Sequence, residues 1–226
     1  MDTKKLNRTF FFATFGLILI FTASASPIPT YVRLQERLHI TTNTISMTAV
    51  CYFAGCIVAL LVFSRLSDFI GRKKIGITTI ILSMVGLILL INTHNGVTLL
   101  LARTVQGFSC GLGSSTLSVL IIESGINKNE NLVSAIAGSA VLLGLAFGGF
   151  LSGTVAQFFS NSSNLTYILI LLLLVVDLLG LLSGIETTDL QKGVWKSLRR
   201  AVLLQPGLLE GIFRPLVPQL VKLFLT

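Results

Sequence analysis

The sequence predicts an all-α integral membrane protein with six transmembrane helices. Three observations carry that expectation. The 226 residues are 53% hydrophobic and only 12% charged, about half the charged share of a soluble domain. No Lys, Arg, Asp or Glu occurs across 9–32, 38–64, 75–102, 104–122 or 131–176, and about 20 apolar residues span a bilayer as a helix. The basic residues gather at the ends of these runs, as membrane topology places them. Barrel strands would be about 10 residues long and alternate in polarity, and the runs do neither.

The first span is expected over 10–29, ended by Pro27 and Pro29. Lys4, Lys5 and Arg8 before it mimic a secretory signal, but the apolar run is too long, and Ala23-Ser24-Ala25 is a poor cleavage site. A connector with Arg33, Glu36 and Arg37 leads to the second span, 43–63. The third covers 75–91, and Asn92 to Gly96 turns the chain, leaving His94 in a solvated loop. The fourth covers 97–123. The long run that follows is cut by the polar cluster at 160–164 into a fifth span, 132–159, and a sixth, 166–185. Three domains result: an N-terminal segment 1–9, a bundle 10–185 and a basic tail 186–226. Val194 to Leu204 of the tail is amphipathic, basic and contains Trp195, a pattern that lies along a membrane surface. Leu220 to Thr226 turns apolar again, as if a seventh helix were about to start.

Fourteen of the seventeen Lys and Arg residues fall on the side of the two termini, against Arg33 and Arg37 on the other. The positive-inside rule then places both termini in the cytoplasm of a plasma membrane, such as a bacterial inner membrane. The net charge of +8 is explained by topology, so no nucleic acid partner is expected; the partners are membrane lipid and a small molecule. Cys51, Cys56 and Cys110 lie inside spans at spacings that fit no zinc pattern and read as packing residues. No nucleophile–base pair, metal cluster or phosphate loop is visible. Neither an enzyme nor a cofactor is expected.

The organising stretch is Ser64 to Lys74, Ser-Arg-Leu-Ser-Asp-Phe-Ile-Gly-Arg-Lys-Lys, between the second and third spans. Gly71 permits unusual backbone angles, and a carboxylate at Asp68 can sit against a positive helix end. An arginine within a span costs about 2.5–3.5 kcal/mol on insertion scales. Arg103 is such a residue, followed by Gln106 and Gly107, although it is near enough to the helix end to snorkel. Gly107-x-x-x-Gly111, Gly144-x-x-x-Gly148 and Gly149-x-x-x-Gly153 predict close helix crossings. Asp177 sits mid-span with no motif around it and is either a hydrogen-bonded structural acid or a proton carrier.

Leu66, Asp68, Gly71, Arg72 and Lys73 resemble the loop between the second and third helices of major facilitator superfamily transporters, Gly-x-Leu-Ala-Asp-Arg-x-Gly-Arg-Lys, with Ser64, Ser67 and Phe69 departing from it. Arg103, Gln106 and Gly107 resemble the family's Arg-x-x-Gln-Gly. Gly144, Gly148 and Gly149 resemble the Gly-Pro-x-x-Gly-Gly core of its antiporter branch, with Leu145 in place of the proline. The resemblance implies the N-terminal six-helix half of that fold, built as two inverted three-helix repeats. It implies a gating loop of Asp68, Gly71, Arg72 and Lys73 with Glu123 as the partner of Arg72. It further implies substrate binding or proton coupling at Arg103, Gln106 and Gly107, with Ser24 and Ser26 as further candidates in a cavity lined by spans one, two, four and five. The function implied is secondary active transport of a small molecule, proton-coupled and leaning to efflux. Completion would need a C-terminal half or a second, dimerising copy; the alternative is a non-transporting remnant or scaffold.

Overall fold

The computed structural model describes residues 3–63, 66–126, 128–158 and 163–187. Of the expected tail at 186–226, all but Glu186 and Thr187 lies outside the described residues, the amphipathic stretch included, as do Ser64, Arg65 and residues 160–162 of the polar cluster. Eight α-helices are formed: α1 Thr3–Ala25, α2 Tyr31–Leu38, α3 Thr42–Val58, α4 Leu66–Ile70, α5 Arg72–Ile91, α6 Gly96–Ser124, α7 Glu130–Phe158 and α8 Ser163–Leu182. Six membrane spans result among the described residues, α1 with α2 forming the first and α3, α5, α6, α7 and α8 the rest. In lipid each backbone polar group must be satisfied within the protein, which leaves helices and closed barrels, and these runs are too long and too uniformly apolar for barrel strands.

The helix ends follow local chemistry. The hydroxyl of Thr41 accepts from the Thr44 N–H at 3.4 Å, and Asn95 Oδ1 accepts from the Thr98 N–H at 2.8 Å, capping α3 and α6. The first span departs from expectation. Its α-helix stops at Ala25, before the prolines, and a 3-10 turn at Ile28–Thr30 leads into α2. The expected connector is therefore helical. Tyr31–Leu38 ends at His39, whose φ of 51 closes the helix in the left-handed region. Two long-range contacts anchor this corner: Thr30 Oγ1 and Tyr167 Oη lie 2.7 Å apart, and Arg33 Nη2 donates to the Ala156 carbonyl. The last turn of the second span, Ala59–Phe63, is a π-helix. The organising stretch is also more ordered than a loop, since α4 occupies Leu66–Ile70 and α5 starts at Arg72, three residues early.

Packing is reciprocal. The first span lies on the fifth and sixth, and the fourth lies on the second and third. That is the pairing two three-helix repeats produce when interlocked. The core between them holds Leu17 and Ile20 of α1, Ile80 and Leu87 of α5, Leu99, Leu117 and Leu120 of α6, and Leu174 of α8, all essentially inaccessible. Val50 and Ile57 of α3, Leu142 and Phe150 of α7, and Leu172 and Leu179 of α8 are exposed, as lipid-facing side chains are. Lipid tails are as apolar as these residues, so exposure there carries no penalty.

Two crossings depend on missing side chains. A Cβ on Gly107 would land on the carbonyl of Tyr52, and one on Gly111 would meet the Cys56 carbonyl at 2.6 Å. Gly55 is equally close to the Thr104 carbonyl, so α3 and α6 touch backbone to backbone. On α7, Gly144 would meet the Ile18 carbonyl at 2.5 Å and Gly148 the Thr22 carbonyl. Thr22 Oγ1 adds a bond to the Gly144 carbonyl at 3.2 Å. The expectation for Gly149 and Gly153 needs correction: a Cβ on either finds nothing within 4 Å. They lie on the opposite side of α7 from Gly144 and Gly148 and form no crossing within the described residues.

Candidate functional site: an inner charge cluster and an arginine-headed cavity

At one end of the bundle α4, α5, α6 and the chain after α8 converge. Arg72 begins α5, and its Nη2 donates to Asp68 Oδ1 at 3.0 Å, one turn earlier in sequence. Its Nη1 pairs with Glu123 at the end of α6. The structure thus brings Asp68, Arg72 and Glu123 together. Gly71 between them has φ 114, a conformation that other residues rarely adopt.

Lys73 has a different role from Arg72. Its Nζ donates to the carbonyls of Leu182 at 2.7 Å and Gly184 at 2.8 Å, closing the C-terminal end of α8. A cation suits the negative end of a helix. Its backbone N–H donates to Glu186 Oε1 at 3.1 Å. Thr187 Oγ1 donates to Glu123 Oε2 at 2.6 Å. Glu186 and Thr187 are the residues that sequence reasoning missed. Both follow the sixth span, and only the fold brings them back to the second-to-third connection.

Near the other end of the bundle, Arg103 of α6 is 5% exposed. It does not snorkel outward but turns into the bundle. Its Nη1 donates to the Ser24 carbonyl and to Gln106 Oε1, both at 2.8 Å. The guanidinium carbon lies 4.9 Å from the ring centroid of Tyr52 and 5.9 Å from that of Tyr31, within cation–π range of both. Gln106, 1% exposed, donates from Nε2 to the Ala23 carbonyl at 3.0 Å. It therefore holds Arg103 from behind.

Arg103 heads a cavity of about 480 Å³. Phe21, Ser24, Tyr31, Tyr52, Phe53 and Leu145 are among its walls, drawn from the first, second, fourth and fifth spans. The lining is mostly apolar with a few convergent polar groups, the usual character of a small-molecule site. Among the described residues lining it, Arg103 is the ionisable group of fixed charge, and no carboxylate faces it. Three sequence candidates fall elsewhere. Ser26 is buried and donates to its own helix at the Ala23 carbonyl, 2.9 Å away. Gln106 supports the arginine rather than lining the cavity. Gly107 serves the α3–α6 crossing, which sets the spacing between the Tyr52 and Arg103 backbones. Tyr31 and Tyr52 were missed, because nothing in a lone tyrosine signals which face of a helix it occupies.

Six interlocked apolar spans define a multi-pass membrane protein. The chain belongs to the Major Facilitator Superfamily, whose family model matches residues 11–225. It is 29% identical over 147 residues to the uridine/deoxyuridine transporter of Lactococcus lactis, covering 60% of this chain and 31% of that protein. It is 26% identical over 151 residues to the quinolone resistance protein NorA of Staphylococcus aureus, covering 65% of this chain and 39% of that one. A sugar transporter of Arabidopsis thaliana, ERD6-like 8, matches at 26% identity over 129 residues, covering 57% of this chain and 27% of that protein. The matched stretch spans about a third of the length of these curated relatives.

Proposed function

We propose that this bundle is one half of a proton-coupled secondary transporter of a small molecule, oriented with its Lys-rich end in the cytoplasm of a plasma membrane and leaning to efflux. The observation that carries the reading is Arg103. A buried guanidinium is retained in a span at a cost of about 2.5–3.5 kcal/mol. Here it heads a cavity instead of reaching the interface. Cation–π contacts with Tyr31 and Tyr52 leave its charge uncompensated by any acid in the lining. The cavity is open on one side, so a facing six-helix half would complete it, either a C-terminal half or a second copy of the chain. The Asp68–Arg72–Glu123 cluster would then release and re-form as the two halves rock. Efflux is favoured over uptake by the glycines of α7, which resemble the antiporter motif at Gly144, Gly148 and Gly149.

The test is flux in proteoliposomes under an imposed pH gradient. Labelled uridine, a quinolone and a hexose are suitable probes, since the relatives are named for transporting or resisting these classes. Movement of one of them that depends on the gradient and falls in Asp68→Asn supports the reading. A chain that crosslinks to no second copy and moves none of the three, alone or with a facing six-helix half supplied, overturns it and favours a six-helix scaffold.

A further inference from the structure

Asp177 of α8 takes no part in either cluster. It is 0% exposed, and neither carboxylate oxygen has a hydrogen-bond partner among the described residues. It faces Gly16 of α1: a Cβ there would stand 2.5 Å from Asp177 Oδ2, with Ile80 of α5 at 3.6 Å. The seam is built around this contact. Phe12 of α1 packs where a Cβ on Gly180 would be, and Thr9 Oγ1 stands 2.6 Å from one on Gly184. Gly180 of α8 and Gly184 just beyond its end thus accept Phe12 and Thr9 of α1, while Gly16 of α1 accepts the acid.

No opposing charge meets the carboxyl. On α1 the cations are Lys4, Lys5 and Arg8, and none follows; Gly16 is eight residues beyond Arg8, about 12 Å along the axis. On α5 they are Arg72, Lys73 and Lys74, of which Arg72 and Lys73 are held at the inner cluster. On α7 Glu130 is the sole charged residue, at its start, and on α8 the other titratable group, Tyr167, bonds to Thr30. An unpaired carboxylate in such surroundings costs several kcal/mol. A metal ion would need about six oxygen ligands, and the notch presents two. A proton needs one.

We propose that Asp177 is a proton-binding site at the α1–α8 seam. It holds its proton while Gly16 of α1 covers it, and it can release the proton only when α1 and α8 separate enough to admit water. This does not depend on the transport reading, on the cavity or on Arg103.

The test uses the unmodified full chain in lipid bilayers, treated with dicyclohexylcarbodiimide, an apolar reagent that adds to protonated carboxyl groups within membranes, followed by peptide mass mapping. Label on Asp177 at neutral pH that is lost as the pH is raised to strongly alkaline values is the expected result. Asp177 unmodified at neutral pH, or modified equally at every pH, overturns the proposal. Infrared spectra give a second reading. The carbonyl stretch of a protonated acid should be present at neutral pH and absent in Asp177→Asn, with retention of the folded elution profile as the control. A band that survives at undiminished intensity in a folded Asp177→Asn protein belongs to other carboxyls and also overturns it.

Discussion

Glu186 Oε1 accepts a hydrogen bond from the backbone N–H of Lys73 at 3.1 Å. The two residues are 113 positions apart. Helix α5 begins with Arg72, Lys73 and Lys74, the wrong charge for the positive end of a helix, and its N-cap residue, Gly71, has no side chain to offer. Glu186 supplies from a distance both the acceptor and the negative charge that a capping Asp would bring. The start of the third span and the chain leaving the sixth are thereby tied into the same cluster as Asp68 and Glu123.

Removing that acceptor should loosen the start of α5. Glu186→Ala is expected to lower stability by about 1 kcal/mol, the usual loss when a cap is deleted. Glu186→Gln keeps an acceptor and should lose less. Thermal unfolding of the purified chain in detergent orders the three proteins. Equal melting of Glu186→Ala and the parent would show that the bond contributes nothing.

Gly71 is coupled to the same contact. Its φ of 114 disfavours any side chain, by about 1–3 kcal/mol, and an added Cβ would meet Glu186 Oε2 at 2.6 Å. Gly71→Ala should therefore destabilise more than Glu186→Ala. The double variant should lose less than the sum of the two, because removing Glu186 also removes the clash. Strict additivity in a double-mutant cycle would contradict the proximity of these residues.

Arg103→Lys separates charge from geometry. The ammonium retains the positive charge but loses the planar face over Tyr52 and the fixed in-plane position of Nη1, which donates to both Ser24 and Gln106. Bonds of this charged kind contribute about 1.5–3 kcal/mol each, so the variant should unfold earlier and transport poorly in a full-length context. Wild-type flux with Lys at this position would show that the charge alone suffices.

The spans were legible because a bilayer demands about 20 apolar residues in a row, and the sequence shows charge-free runs of that length. Arg72 and Glu123 could be paired in advance because a motif resemblance names both. Glu186 could not, since it lies among ordinary polar residues and its role exists only once α8 returns to α5. Tyr31–Leu38 was read as a connector because eight amphipathic residues between prolines and a Thr-rich stretch carry no membrane signal. Glycine spacing gave the likelihood of a crossing but no direction. Residues four apart share a face, yet nothing in the spacing says whether that face meets another helix or open space, and Gly144 and Gly149 fall on different sides of that choice.

That difference yields the last prediction. A Cβ on Gly107 falls on the Tyr52 carbonyl, and backbone cannot swing aside as a side chain can. Gly107→Ala must push α3 from α6, and overpacking of this kind costs about 1–3 kcal/mol. It should also displace Tyr52 from Arg103, so the cavity changes shape with the crossing. Gly138 and Gly149 lie on α7 with nothing within 4 Å of an added Cβ. Alanine there should instead stabilise by about 0.4–1 kcal/mol, through the lost freedom of the unfolded chain. Melting temperatures of the three variants should therefore fall on both sides of the parent. If Gly149→Ala is as stable as Gly138→Ala yet impairs flux in a full-length context, the open face of α7 acts against a facing half. If the two behave alike in flux as well, Gly149 is a lipid-facing residue and the likeness to the antiporter motif ends at Gly148.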